Sequence, residues 1–122
     1  MRLTILPDAE KPAYRQIFEQ IAAQILSGEL EGGAALPPIR TVSRELGVSV
    51  ITVRGAWDAL EAEGLIEARV GSGCYVAALP PEELAARRRE ALSEPLERLV
   101  SAAKELGFSE KETVELLSEY WK

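Results

Sequence analysis

Arg40, Arg44 and Arg54 fall within one stretch, Gly33 to Trp57, whose only acid is Glu45. A guanidinium presents a fork of donors that fits guanine O6 and N7, or a phosphate group. Several of them in a locally cationic stretch suit nucleic-acid chemistry. Arg69 adds another, with no acid between Ala68 and Pro81. Ser49, Val50, Ile51 and Thr52 lie among them: hydroxyls for a helix cap or a phosphate, apolar groups for thymine methyls. Gly71, Ser72 and Gly73 make a flexible tip. Each of these residues also has an ordinary reading. A lone arginine is usually a solvated or salt-bridged surface group, and Val50 and Ile51 could cover the edge of a core.

Catalytic chemistry finds little to work with. Histidine is absent, which removes Ser-His and Cys-His pairs and His metal ligands together. No calcium-loop pattern and no phosphate-cradling GxxxxGK[ST] motif occurs. The sequence calls for no cofactor and no metal. The single cysteine, Cys74, has no partner for an intramolecular disulfide and reads as a small strand residue.

The net charge of −6 argues against a nucleic-acid partner. Residues 1–78 and 79–122 each hold seven Lys/Arg and ten Asp/Glu, giving −3 apiece. Phosphates respond to the potential within roughly a Debye length of ~10 Å, so distribution outweighs the total. The acids gather at Glu19, Glu29, Glu31, Asp58, Glu61 and Glu63, away from the arginine stretch. One cationic face on an acidic body is the arrangement this implies.

The elements that would position these groups emerge from periodicity. After a short arm, Met1 to Glu10, Pro12 opens a helix in which Tyr14, Ile17, Phe18, Ile21, Ala22, Ile25 and Leu26 recur at three- and four-residue steps. Gly28 ends it. Pro37-Pro38 opens a short second helix, with Ile39, Val42 and Leu46 on one face and Gly47 as its stop. Ser49 caps a third helix with Val53, Ala56, Trp57 and Leu60 turned inward, ended by Gly64. The second and third helices are separated by Gly47-Val48-Ser49 alone, the spacing of a helix-turn-helix. Leu65–Val70 and Cys74–Ala77 read as the strands of a hairpin.

Pro80-Pro81 marks a boundary, and we divide the chain into residues 1–78 and residues 79–122. The second part is rich in Ala, Glu, Leu and Arg and reads as helical. Pro95 is expected to kink or divide its first helix. Ser109 with Glu112 forms a capping box for the last. Leu92, Leu96, Leu99, Val100, Ala103, Leu106, Leu117, Tyr120 and Trp121 supply an apolar stripe. Two helices of this size enclose no core alone, so the stripe must bury against the first part or against a second copy. Arg87-Arg88-Arg89 reads as a solvated face or as partners for Glu82, Glu83 and Glu90. The longest apolar runs span only a few residues, too short for a membrane. No signal-peptide core begins the chain, and the cytoplasm is the simplest compartment.

The expected fold is therefore mainly helical: a winged helix-turn-helix with a short helical dimerisation tail after it. The chain resembles the GntR family of bacterial regulators from Pro12 to Val76. The residues that carry the resemblance are Pro12-x-Tyr14-x-Gln16-Ile17, Gly28-Glu29-Leu30, Leu36-Pro37-Pro38-Ile39-Arg40, Leu46-Gly47-Val48-Ser49 and Thr52-Val53-Arg54. They continue with Leu60-x-x-Glu63-Gly64-Leu65-Ile66 and Gly71-x-Gly73-x-Tyr75-Val76. The tail from Glu82 to Lys122 looks like the YtrA-type subfamily. The resemblance implies that Arg40 touches the DNA backbone, that Ser49, Thr52 and Arg54 reach DNA from the recognition helix, and that Gly71 and Gly73 belong to the wing. Pro38, Val50, Val70 and Ser72 depart from the family pattern, losing a cap hydroxyl and several cations. The protein is then expected to be a homodimer on an inverted-repeat operator in double-stranded DNA, acting as a repressor by blocking polymerase. A small-molecule effector of unknown identity would bind between copies or between the two parts. Two rivals predict otherwise. One is a winged helix used for protein contacts only. The other is a regulatory piece of a longer enzyme, against which the aromatic end at Tyr120-Trp121 reads as a natural terminus.

Overall fold

The computed structural model describes residues 1–122, which divide into two compact units, Met1–Leu84 and Ala85–Lys122. In chain order the elements are α1 (Ala13–Leu26), α2 (Ile39–Leu46), α3 (Val50–Ala62), β1 (Ile66–Arg69), β2 (Gly73–Val76), α4 (Pro81–Glu105) and α5 (Glu110–Tyr120). This is a winged helix with helices added after the wing. No helix is long and apolar enough to cross a membrane.

The core of the first unit is the meeting of the three expected stripes. Ile17, Ile21 and Ile25 of α1 pack with Val42 of α2 and with Val53, Ala56, Trp57 and Leu60 of α3. Leu65, Ile66 and Val76 close it from the hairpin. Ile17, Ile21, Val53 and Leu60 are wholly removed from solvent. Each such side chain stabilises the fold by roughly 1.5–3 kcal/mol of transfer energy.

The turn between α2 and α3 is fixed by backbone chemistry. Gly47 takes φ +68°, a left-handed conformation that a side chain would strain. The Val48 N–H donates to the Ser43 carbonyl at 3.1 Å, and the Ser43 hydroxyl donates back to the Val48 carbonyl. Val48, in the turn, is half-buried and packs against the core.

The hairpin is antiparallel, pairing Ile66 with Val76, Glu67 with Tyr75, Ala68 with Cys74 and Arg69 with Gly73. Its loop is therefore Val70-Gly71-Ser72, and Gly73, expected in the tip, begins β2. The Ser72 N–H closes the loop on the Arg69 carbonyl at 2.9 Å. Gly33–Leu36 runs along the free edge of β2, with Val76 donating to Ala34 and Leu36 donating to Cys74. The wing is thus tied to the segment that leads into α2.

The arm is fastened in a way that periodicity did not reveal. Gln16, Gln20 and Gln24 each bond the backbone of one arm residue on both sides. Gln20 donates to the Thr4 carbonyl at 2.6 Å and accepts from its N–H at 2.9 Å. Gln16 does the same to Leu6, and Gln24 to Arg2. Four helical residues rise about 6.0 Å, and two extended residues span about 6.6 Å, so the two repeats nearly match. The amides stand in for a neighbouring strand, while Leu3 and Ile5 turn into the core.

In the last helices, α4 runs unbroken through Pro95. Of the expected kink or division, the division does not occur. Pro95 leaves the Ala91 carbonyl without its helical donor, but Ala91 is exposed and water can satisfy it. The capping box at Ser109 and Glu112 is present in both directions. The Ser109 backbone N–H, with its hydroxyl, holds the Glu112 carboxyl below the usual range. No residue of α4 or α5 is buried.

Candidate nucleic-acid interface

Three pieces converge on one face of the first unit: the start of α2, the start of α3 and the wing. Between them lies a cleft of about 350 Å3, with Arg40, Val50, Arg54, Ser72 and Gly73 on its walls and Trp57 at its base. Sequence positions more than thirty apart, Arg40 and Ser72, thus border one concavity.

Helix α3 presents its first turn outward because its inward stripe is satisfied. Ser49 caps it, its hydroxyl accepting from the Thr52 N–H at 3.0 Å and lying 2.8 Å from the Thr52 hydroxyl. Thr52 is half-buried, so its hydroxyl first serves the cap. Val50 is half-buried at the cleft wall, whereas Ile51 is 81% exposed. An isoleucine so bare on the first turn is free to meet an apolar surface, such as a thymine methyl. Arg54, one turn on, is exposed.

Helix α2 begins at Pro38 without any side-chain cap, so its first N–H groups are left for an outside acceptor. Arg40 and Arg44 are exposed on it. Arg40, Arg44 and Arg54 form no ion pair with any acid of the chain. The cations elsewhere in the first unit are engaged: Arg2 with Glu29, Lys11 and Arg15 with Glu19. An acidic protein has therefore kept two guanidiniums without an ion-pair partner at one cleft, and a third one turn along α2.

Arg69 differs. Its expected freedom from acids held between Ala68 and Pro81, but Glu67 stands just outside that window. The Arg69 Nη2 lies 3.2 Å from Glu67 Oε1, and its guanidinium carbon sits 4.1 Å over the Tyr75 ring. Gly71 takes φ +75° in the loop, Ser72 is exposed, and Val70 is fully bare at the tip. Cys74 lines the cleft with its thiol pushed up by burial and, less strongly, by Glu61 and Asp58. It stays protonated, the state of an inert thiol.

Residues 13–76 match the family described as "Bacterial regulatory proteins, gntR family". YhcF of Bacillus subtilis, an uncharacterised HTH-type transcriptional regulator, is 32% identical over 108 residues, 88% of either chain. This chain belongs to the gntR family of bacterial regulatory proteins. Among solved structures it is similar to YtrA from Sulfolobus acidocaldarius, a GntR-family transcription factor, with 33% identity, 75% of this chain and 97% of that one covered, and TM-score 0.58. It is also similar to AraR(DBD) in complex with operator ORX1, at 31% identity, 62% and 93% coverage, and TM-score 0.54. Of four further curated regulators that it matches, the chain spans only 15% to 29% of the length.

Proposed function

We propose that the protein is a sequence-specific, DNA-binding transcriptional regulator of the YtrA type, not an enzyme, that acts in the cytoplasm. Two copies bind an inverted-repeat operator, and occupancy of that operator represses the gene beside it. The observation that carries this reading is the pair of guanidiniums without an ion-pair partner, Arg40 and Arg54, that border the cleft between α2, α3 and the wing, with Arg44 one turn beyond Arg40 on α2. The likeness to AraR(DBD), whose structure holds an operator, supports it.

In this mechanism α3 enters the major groove by its first turns. Arg54 and Ile51 read base edges and thymine methyls, and Ser49 and Thr52 approach the backbone. Arg40, Arg44 and the uncapped start of α2 meet phosphates. The wing loop, Val70-Gly71-Ser72, extends along the neighbouring minor groove.

Dimerisation is inferred from α4 and α5. Leu92, Leu96, Leu99, Val100, Leu106, Leu117, Tyr120 and Trp121 are all exposed, and Ala103 is half-buried. A helical unit with no buried residue lacks a core of its own, and a two-fold copy supplies one. Such symmetry would present the two α3 helices to successive major grooves.

Selection of bound fragments from a random duplex pool tests the reading, with enrichment of an inverted repeat as the expected result. Arg54→Ala should then bind the selected site about 5- to 150-fold more weakly, with relaxed preference at one base pair, while folding survives. Arg40→Ala should weaken all duplexes alike and flatten the salt dependence by about one phosphate. Competition binding with single-base variants of the site separates the two. Unchanged affinity in both would remove α2 and α3 from the interface. A winged helix serving protein contacts alone, which the net charge of −6 would suit, predicts no enrichment and no salt-dependent affinity.

A further inference from the structure

Resting on the DNA-binding reading above, we propose that Glu67 competes with DNA phosphate for Arg69 and so limits the wing's grip on any duplex. Glu67 and Tyr75 stand opposite one another in the hairpin register, and Arg69 comes two residues after Glu67. Alternation along a strand puts all three side chains on one face. There the Arg69 guanidinium lies 4.1 Å above the Tyr75 ring while its Nη2 meets the Glu67 carboxylate at 3.2 Å.

The ring is itself held. The Tyr75 hydroxyl pairs with the Ser72 hydroxyl and donates to the Ser72 carbonyl at 3.3 Å. The stack therefore fixes where the guanidinium sits, and the carboxylate takes part of the donor fork that a phosphate would use. Arg69 is the sole cation from Ile66 to Ala77. With Glu67 beside it the wing face sums to zero charge.

Both side chains remain about half exposed, at 51% for Arg69 and 56% for Glu67. The pair is thus weak and exchangeable. When a phosphate arrives, it replaces one anion with another at the same cation. That exchange returns little electrostatic free energy and displaces few counterions. Arg40, Arg44 and Arg54 have no such internal competitor, so α2 and α3 carry the affinity and the wing adds little that is blind to sequence.

The test is a double-mutant cycle read by fluorescence anisotropy, using a duplex selected from the random pool and a scrambled duplex of equal length. Glu67→Gln removes the charge and keeps the shape. It should tighten binding to both duplexes by about two- to fivefold at about 50 mM salt. Its salt dependence should steepen by about one phosphate. In an Arg69→Ala background the same substitution should give no gain, because nothing remains to compete for. No tightening by Glu67→Gln would overturn the proposal. Equal tightening in both backgrounds would also overturn it, since that is plain repulsion between Glu67 and DNA. Absence of binding by the unaltered protein to every selected duplex sinks the DNA-binding reading first, and is recognisable as that different failure.

Discussion

Leu99→Glu is expected to leave a 13.3 kDa monomer where the parent runs at about twice that mass. Leu99 lies in the last third of α4, 40% exposed, in line with Leu92, Leu96 and Val100. In a two-fold interface every residue occurs twice, so a single substitution places two carboxylates in the apolar seam. Neither has a partner there, and an unpaired charge removed from water costs more than a surface stripe can offset. Glutamate is a good helix former, so α4 itself should persist. Operator affinity should fall by about 10²- to 10⁴-fold, because the second half-site then binds without its tether. Light scattering and binding to a full versus a half operator measure both effects. A variant that stays dimeric would place the interface away from α4.

Leu60→Ala should do the opposite: leave the interface chemistry intact and remove the fold beneath it. Leu60 is wholly buried on the inward face of α3, among Ile17, Ile21 and Trp57. Leucine-to-alanine changes in such cores cost about 2–5 kcal/mol, from lost transfer energy and the cavity left behind. Against a total of about 5–15 kcal/mol for a domain, the loss is a large share. The melting midpoint should drop by about 8–40 °C at the 4–8 °C per kcal/mol usual for a unit of this size. Calorimetry checks it. Ile51→Ala, on the outward face of the same helix, should leave the midpoint nearly unchanged. A small shift for Leu60→Ala would mean that α3 is not seated on the core as described.

These expectations rest on features that differ in how openly the sequence displays them. The three stripes of α1, α2 and α3 were legible because burial demands apolar side chains at helical spacing, and each stripe supplied core residues, although Tyr14 at the start of α1 stays exposed. Gly47 and Ser49 marked the turn because few residue types satisfy a left-handed stop or a free N–H. The site was legible in its arginines but not in their state. Nothing local reveals that Arg40 and Arg54 border one cleft, because that needs tertiary contact between α2, α3 and β2. The state of Arg69 could have been found, since Glu67 is two residues away and a strand puts such neighbours on one side. Pro95 does not divide α4, because the carbonyl that loses its hydrogen bond is exposed and loses little. The glutamines were hidden for a different reason. Gln16, Gln20 and Gln24 look like a solvated face, and their signal is a match of two periods, theirs and that of Arg2, Thr4 and Leu6.

That match has an implication for how the protein responds to its surroundings. A carboxamide carries no charge and takes up no proton over the range in which proteins stay folded. Electrolyte, which weakens guanidinium contacts to a nucleic acid, has no comparable purchase on amide-to-peptide bonds. Shifts in acidity or ionic strength can therefore loosen the hold on an operator while the leading segment stays zipped to its helix. The Arg2–Glu29 and Lys11–Glu19 pairs at the arm also feel the medium, but the three glutamines that hold its backbone do not.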